Sequence, residues 1–129
     1  MGTGVLRATI LPHASAAPSL RVFAHCAVRN GVTIAFANLS PDTAYSLNVT
    51  SVGGGMINAV PRLEYMLAPE GSNMASRIVT LNGVALNYGG PGHLDPALPA
   101  NVTDPSVPLV LQPLTIGFVV LPAAVSGCP

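Results

Sequence analysis

Five carboxylates, three imidazoles and two thiols are the groups in this 129-residue chain that could do chemistry: Asp42, Glu64, Glu70, Asp95 and Asp104, then His13, His25 and His93, then Cys26 and Cys128. Two carboxylates held roughly 5–10 Å apart can hydrolyse a glycosidic bond, one as acid and the other as nucleophile or base. Glu64 lies in a strand-like run and could face a cleft. Asp42 follows Pro41, and Glu70, Asp95 and Asp104 each stand beside Gly or Pro, the setting of solvated turn acids. Turn and surface roles account for all five, so no catalytic residue is assigned. The histidines are far apart, and only His93 has another strong ligand nearby, in Asp95, so no metal site is assigned. No Gly-X-Ser-X-Gly elbow offers a nucleophile. Gly53-Gly54-Gly55 lacks the Lys-Ser/Thr sequel and following helix of a phosphate loop, so no cofactor site is assigned.

The thiols allow two readings. They could be separate buried cysteines, or one bond closing about 100 residues, worth roughly 4–5 kcal/mol through the entropy it removes from the unfolded chain. Three acceptor sequons for N-linked glycans favour the oxidising compartment in which such a bond forms: Asn48-Val49-Thr50, Asn101-Val102-Thr103 and Asn38-Leu39-Ser40. The third is the poorest, because the Pro41 that follows it hinders the transferase. Against this stands the N-terminus. Met1-Gly-Thr-Gly-Val-Leu6 has neither the charged nor the apolar region of a signal peptide, and Leu6 excludes a myristoylation site.

Half the residues are apolar and 8% are charged, against a usual charged share of about 25%. All five basic residues are arginines, scattered singly, and net charge is zero, so nucleic acid is not expected as a partner. So few charges suit a free monomer poorly, which implies that part of the surface is covered by something else. The longest apolar run, Leu109 to Val125, is interrupted by Gln112, Pro113, Thr115, Gly117 and Pro122. It predicts buried strand rather than a transmembrane segment.

The elements that position these groups alternate with period two. Leu20, Val22, Ala24 and Cys26 form one face of a run whose other face is Arg21, Phe23 and His25, so Cys26 points to the more apolar side. Val32, Ile34 and Phe36 alternate in the next run, and Asn30-Gly31 between the two predicts a two-residue hairpin. Further strands are expected at Val5–Ile10, Tyr45–Val52, Leu63–Ala68, Arg77–Leu81, Val84–Asn87, Leu109–Leu111, Thr115–Leu121 and Ala124–Cys128, with Asn82-Gly83 as a second hairpin turn. Gly53-Gly54-Gly55 reads as a flexible joint, and Tyr88 to Pro108 as a long Gly/Pro-rich connection outside the sheet. Eight to ten short strands and no helix predict one all-β domain over residues 1–129, an antiparallel β-sandwich.

Several of these segments, in order, resemble the C-terminal region of heparanase-like proteins, the endo-β-glucuronidases of glycoside hydrolase family 79, in their plant form. They are Met1-Gly-Thr-Gly-Val-Leu6, Leu20-Arg-Val-Phe-Ala-His-Cys26, Ala35-Phe-Ala-Asn-Leu-Ser40, Arg62-Leu-Glu-Tyr-Met-Leu67, Leu81-Asn-Gly-Val-Ala-Leu86 and Pro113-Leu-Thr-Ile-Gly-Phe118, ending near Cys128. The resemblance implies a sandwich appended to a (β/α)8 barrel. The barrel precedes it and carries both catalytic glutamates, so none of this chain's acids matches a catalytic position. It also implies a Cys26–Cys128 disulfide, and makes Met1 an internal methionine with the signal peptide upstream.

The function expected is therefore a non-catalytic accessory domain of a secreted, lysosomal or vacuolar glycosidase. It would support folding and secretion of the barrel, meet glycan substrate only through that barrel, and self-associate when isolated. A free-standing carbohydrate-binding or adhesion module is the alternative. Without Trp and with six aromatic residues, the chain has few of the platforms such modules use.

Overall fold

A computed structural model describes residues 4–10, 17–27, 31–49, 60–86, 98–122 and 128, and these form an antiparallel β-sandwich with layers of unequal size. The strands are β1 (Val5–Leu6), β2 (Leu20–Cys26), β3 (Val32–Asn38), β4 (Tyr45–Leu47), β5 (Arg62–Pro69), β6 (Val79–Leu81), β7 (Val84–Ala85), β8 (Asn101–Thr103), β9 (Leu109–Leu111) and β10 (Thr115–Leu121). The larger sheet runs β1-β2-β3-β10-β5-β6-β7, with β8 also paired to β5; β4 and β9 form the second layer. Among the described residues no helix is long and apolar enough to cross a membrane.

Alternation decides which side of the large sheet is core. Leu20 and Cys26 of β2, Val32, Ile34 and Phe36 of β3, and Val119 and Leu121 of β10 point the same way and are buried against Leu109 and Leu111 of β9. Tyr45 and Leu47 of β4 complete the contact. Strands β3 and β10 lie at the centre and pair along their full length, Thr115 with Asn38 through Leu121 with Val32. Gly117 sits between Phe36 and Met66 in this ladder. A methyl group there would collide with the Tyr65 carbonyl and come within 3.0 Å of the Phe36 ring.

The β2–β3 hairpin forms, but not in the register predicted. A two-residue Asn30-Gly31 turn requires Arg29 opposite Val32. Instead Cys26 faces Val32, and the Ala27 amide donates to the Gly31 carbonyl at 2.8 Å. Keeping Leu20, Cys26, Val32 and Phe36 on one buried face overrides the local turn preference. Asn82-Gly83 does form a two-residue turn, with Leu81 opposite Val84 and φ of 50° and 82°, the positive values a type I′ turn needs.

Several strands are shorter than predicted. β1 stops at Leu6, and Ile10 packs on the core instead of extending the ladder. The Ser76 hydroxyl takes the Ile78 amide at 3.1 Å, and β6 starts at Val79 rather than Arg77. β7 ends at Ala85 and β4 at Leu47. A 3-10 turn at Glu70–Ser72 was not foreseen. Nor was β8, which lies inside the stretch read as connection: three of the five residues between Pro99 and Pro105, two of the three β-branched, suffice to pair with Arg62–Glu64. The glycine triplet and residues 124–127 of the last predicted strand lie outside the described residues.

Strand β5 divides its outer edge between two partners, β8 at residues 62–64 and β6 at residues 67–69. The Asn82 side chain fills the interval. Its Oδ1 accepts from the Met66 amide at 2.8 Å, and its Nδ2 donates to the carbonyls of Glu64 at 3.0 Å and Pro99 at 3.1 Å.

Candidate functional site

Glu64, the acid on a strand-like run that could face a cleft, is the counter-charge of a buried arginine. Arg62, two residues away on the same face of β5, is 5% exposed, and its Nε donates to Glu64 Oε1 at 2.6 Å. The rest of the guanidinium donates to the carbonyls of Val107 at 2.7 Å and Pro108 at 3.2 Å. These bonds from the guanidinium pin the segment before β9 to β5, while Glu64 on the same strand balances its charge. Charge-assisted bonds of this kind satisfy a cation that burial would otherwise make very costly.

The other acids serve turns. Asp42 accepts from the hydroxyls of Thr43 at 2.9 Å and Ser40 at 3.0 Å, and these two bonds, Thr43 foremost, hold its carboxyl below the usual carboxylate range. Asp104 takes the Ser106 hydroxyl at 2.6 Å and the Ser106 amide at 2.9 Å, which lower it likewise. Glu70 is exposed in the 3-10 turn, and Asp95, His13 and His93 lie outside the described residues. His25 is half-buried on β2, opposite Val5 of β1 and Thr33 of β3.

Cys26 and Cys128 are joined, with Cα atoms 5.3 Å apart and a sequence separation of 102. Both are buried. The Cys26 amide donates to the Gly4 carbonyl at 2.8 Å, so the base of β1, the end of β2 and the end of the chain meet at one point.

The three sequons fall in different surroundings. Asn48 is exposed just after β4, and Asn101 is exposed at the start of β8. Asn38 is 0% exposed at the end of β3. Its Nδ2 donates to the carbonyls of Thr43 at 2.8 Å, Gln112 at 2.9 Å and Leu111 at 3.1 Å, while its Oδ1 accepts from the Ser40 amide at 3.0 Å. In the folded domain Asn38 has no exposed surface on which a glycan could stand. It is a structural amide linking the two layers.

The largest continuous feature is the outer face of the eight-stranded sheet. Register places Phe23, Ala35, Phe118 and Tyr65 in one row across β2, β3, β10 and β5. A flanking row holds Arg21, Ala37, Ile116 and Leu67, and the opposite one His25, Thr33, Val120, Leu63 and Val102. Phe23 is 60% exposed, Ile116 51% and Val102 70%. Arg21, His25 and the Tyr65 phenol are the ionisable side chains in these rows, and exposure is uneven: Thr33 is buried, most of the others are half-buried, and Phe23, Ile116 and Val102 are the exposed apolar side chains, of the kind that marks a contact with another surface. The low charge predicts that part of the surface is covered without saying which part, and only the register across strands brings these residues to one face.

No family model matches the chain. Heparanase-like protein 1 of Arabidopsis thaliana is 29% identical over 150 aligned positions, spanning 95% of this chain and 27% of that protein. Baicalin-beta-D-glucuronidase of Scutellaria baicalensis is 32% identical over 123 positions, covering 95% of this chain and 22% of that protein. Heparanase-like protein 2 of A. thaliana gives 29% identity, 95% and 27%. The chain thus spans about a quarter of the length of the curated relatives it matches.

Proposed function

We propose that this chain, similar along 95% of its length to heparanase-like proteins and to a glucuronidase, is the C-terminal accessory domain of a glycoside hydrolase of the β-glucuronidase class. It is non-catalytic, and its apolar outer face packs on the (β/α)8 barrel that carries the chemistry, supporting the fold and secretion of that barrel. Its compartment is extracellular, lysosomal or vacuolar. The observation that carries this reading is the set of exposed apolar side chains on the outer face: Phe23, Ile116 and Val102 would be costly to leave in water and are suited to a packed layer. Glu64, the acid best placed on a strand, is occupied in balancing Arg62.

A chimera tests the reading. This chain replaces the matching segment of the Arabidopsis relative, and the secreted product is assayed on glucuronides. Secretion and turnover are expected, with loss of secreted protein on F23E/I116E. Turnover by the isolated 129-residue chain would overturn the proposal. The aromatic row Phe23, Phe118, Tyr65 is the one observation that favours a free-standing carbohydrate-binding module instead. Micromolar glycan binding by the isolated chain, abolished by Phe23→Ala, would establish that alternative.

A further inference from the structure

We propose that Pro41 guards the sequon Asn38-Leu39-Ser40 against N-glycosylation, so that the Asn38 amide remains free to join the two layers of the sandwich. The inference rests on the secretory reading above. The transfer moves a sugar from a lipid-linked oligosaccharide diphosphate to an asparagine amide. A bond forms between the anomeric carbon and Nδ2, the bond from that carbon to the diphosphate oxygen breaks, the lipid diphosphate leaves, and Nδ2 gives up one of its two protons. Asn38 can spare neither proton nor space. Its Nδ2 serves three carbonyl acceptors, on Thr43, Leu111 and Gln112, and the residue has no exposed surface.

The timing of the reaction makes a safeguard in the sequence necessary. Glycans are added to the chain as it enters the secretory compartment, before β9 has been translocated to bury Asn38, so the fold itself offers no protection. Pro41 acts at that stage. It lacks an amide proton and confines Ser40 to extended backbone, which restricts the conformations in which the flexible chain can present the sequon to the transferase. The comparison with the other sequons is consistent: Asn48 and Asn101 are exposed and their sequons are followed by Ser51 and Asp104, whereas the buried asparagine is the one whose sequon is followed by proline. In the folded chain Pro41 is exposed, and the turn around it is held by Ser40 Oγ, which accepts from the Thr43 amide at 3.0 Å.

The test uses the whole chain behind a cleavable signal sequence, translated with microsomes, in an N48Q/N101Q background that leaves Asn38 as the acceptor under study. That background is expected to show no glycan. Adding P41A is expected to produce one endoglycosidase-sensitive gel shift, which N38Q removes. A glycan on Asn38 with Pro41 in place, or no shift with P41A, overturns the proposal. A second measurement separates the guard from a turn-forming role. P41A made in an oxidising bacterial host without the transferase is expected to form the Cys26–Cys128 bond and resist protease, while the Asn38-glycosylated form does neither. A glycosylated form as protease-resistant as the unmodified one also overturns it. Because translocation is imposed, these results do not depend on where the natural protein resides, which glycopeptide analysis of its Asn48 and Asn101 decides separately.

Discussion

Asn38 and Leu111, 73 residues apart and both without solvent exposure, are joined by a side-chain amide donating to a backbone carbonyl at 3.1 Å across the two layers of the sandwich. Asn38→Ala removes this bond and those to Thr43, Gln112 and Ser40 together, leaving buried backbone groups without partners. Each such group costs about 1–3 kcal/mol, so a loss of at least about 2 kcal/mol is expected. Urea denaturation followed by fluorescence of the tyrosines would measure it, and a change below about 0.5 kcal/mol would show that water replaces the amide.

The Arg62–Glu64 pair separates structure from catalysis. Removing one member of a buried pair leaves an uncompensated charge and costs about 3–5 kcal/mol, reduced here because Glu64 is partly exposed. Glu64→Ala is therefore expected to lower the melting temperature by several degrees and Glu64→Gln by less, while kcat of a chimeric enzyme measured below the transition stays unchanged for both. A drop in kcat with stability intact would restore Glu64 as a catalytic candidate.

Gly117 tolerates no side chain. Its Cβ position is closed on one side by the Tyr65 carbonyl and on the other by the Phe36 ring. Overpacking costs about 1–3 kcal/mol where side chains can yield, and backbone yields less. Gly117→Ala is expected to fall at or beyond the top of that range. Gly117→Ala/Phe36→Leu should regain part of the loss, and a double-mutant cycle with no coupling would contradict the packing described.

Reduction of the Cys26–Cys128 bond is expected to cost roughly 4–5 kcal/mol, the value for a closed loop of about 100 residues. Cys26→Ser/Cys128→Ser should reproduce the reduced protein's denaturation midpoint. Equal midpoints for oxidised and reduced wild type would mean that the unfolded chain gains no freedom on reduction.

Where one rule governed a segment, the sequence was sufficient. β2 and β10 were both placed to the residue, β2 by its alternating faces and β10 as an apolar run bounded by Pro113 and Pro122. Asn82-Gly83 was legible because its turn agrees with the strands on either side. Asn30-Gly31 was not, since the burial of Cys26 against Val32 sets a different pairing. β8 escaped notice because three residues between prolines carry almost no periodicity. The roles of Arg62, Asn38 and Asn82 depend on carbonyls up to 74 residues away, which local pattern cannot supply. The outer face was written in the same alternation as the core, and only pairing across strands shows that its rows align.

Asn82 carries a chemical lifetime as well as a structural duty. An asparagine followed by glycine is the pair in which the next backbone nitrogen most readily attacks the side-chain carbonyl, releasing ammonia and forming a succinimide ring that water opens to aspartate or isoaspartate. Here that amide is held at both ends between β5 and the Pro99 carbonyl. While the sheet stays closed, attack is suppressed. Once it opens, conversion replaces a donor to two carbonyls with a carboxylate that repels them, so the opening cannot be fully reversed. The appearance of isoaspartate at Asn82 would therefore act as a clock that runs only in molecules whose sheet has come apart.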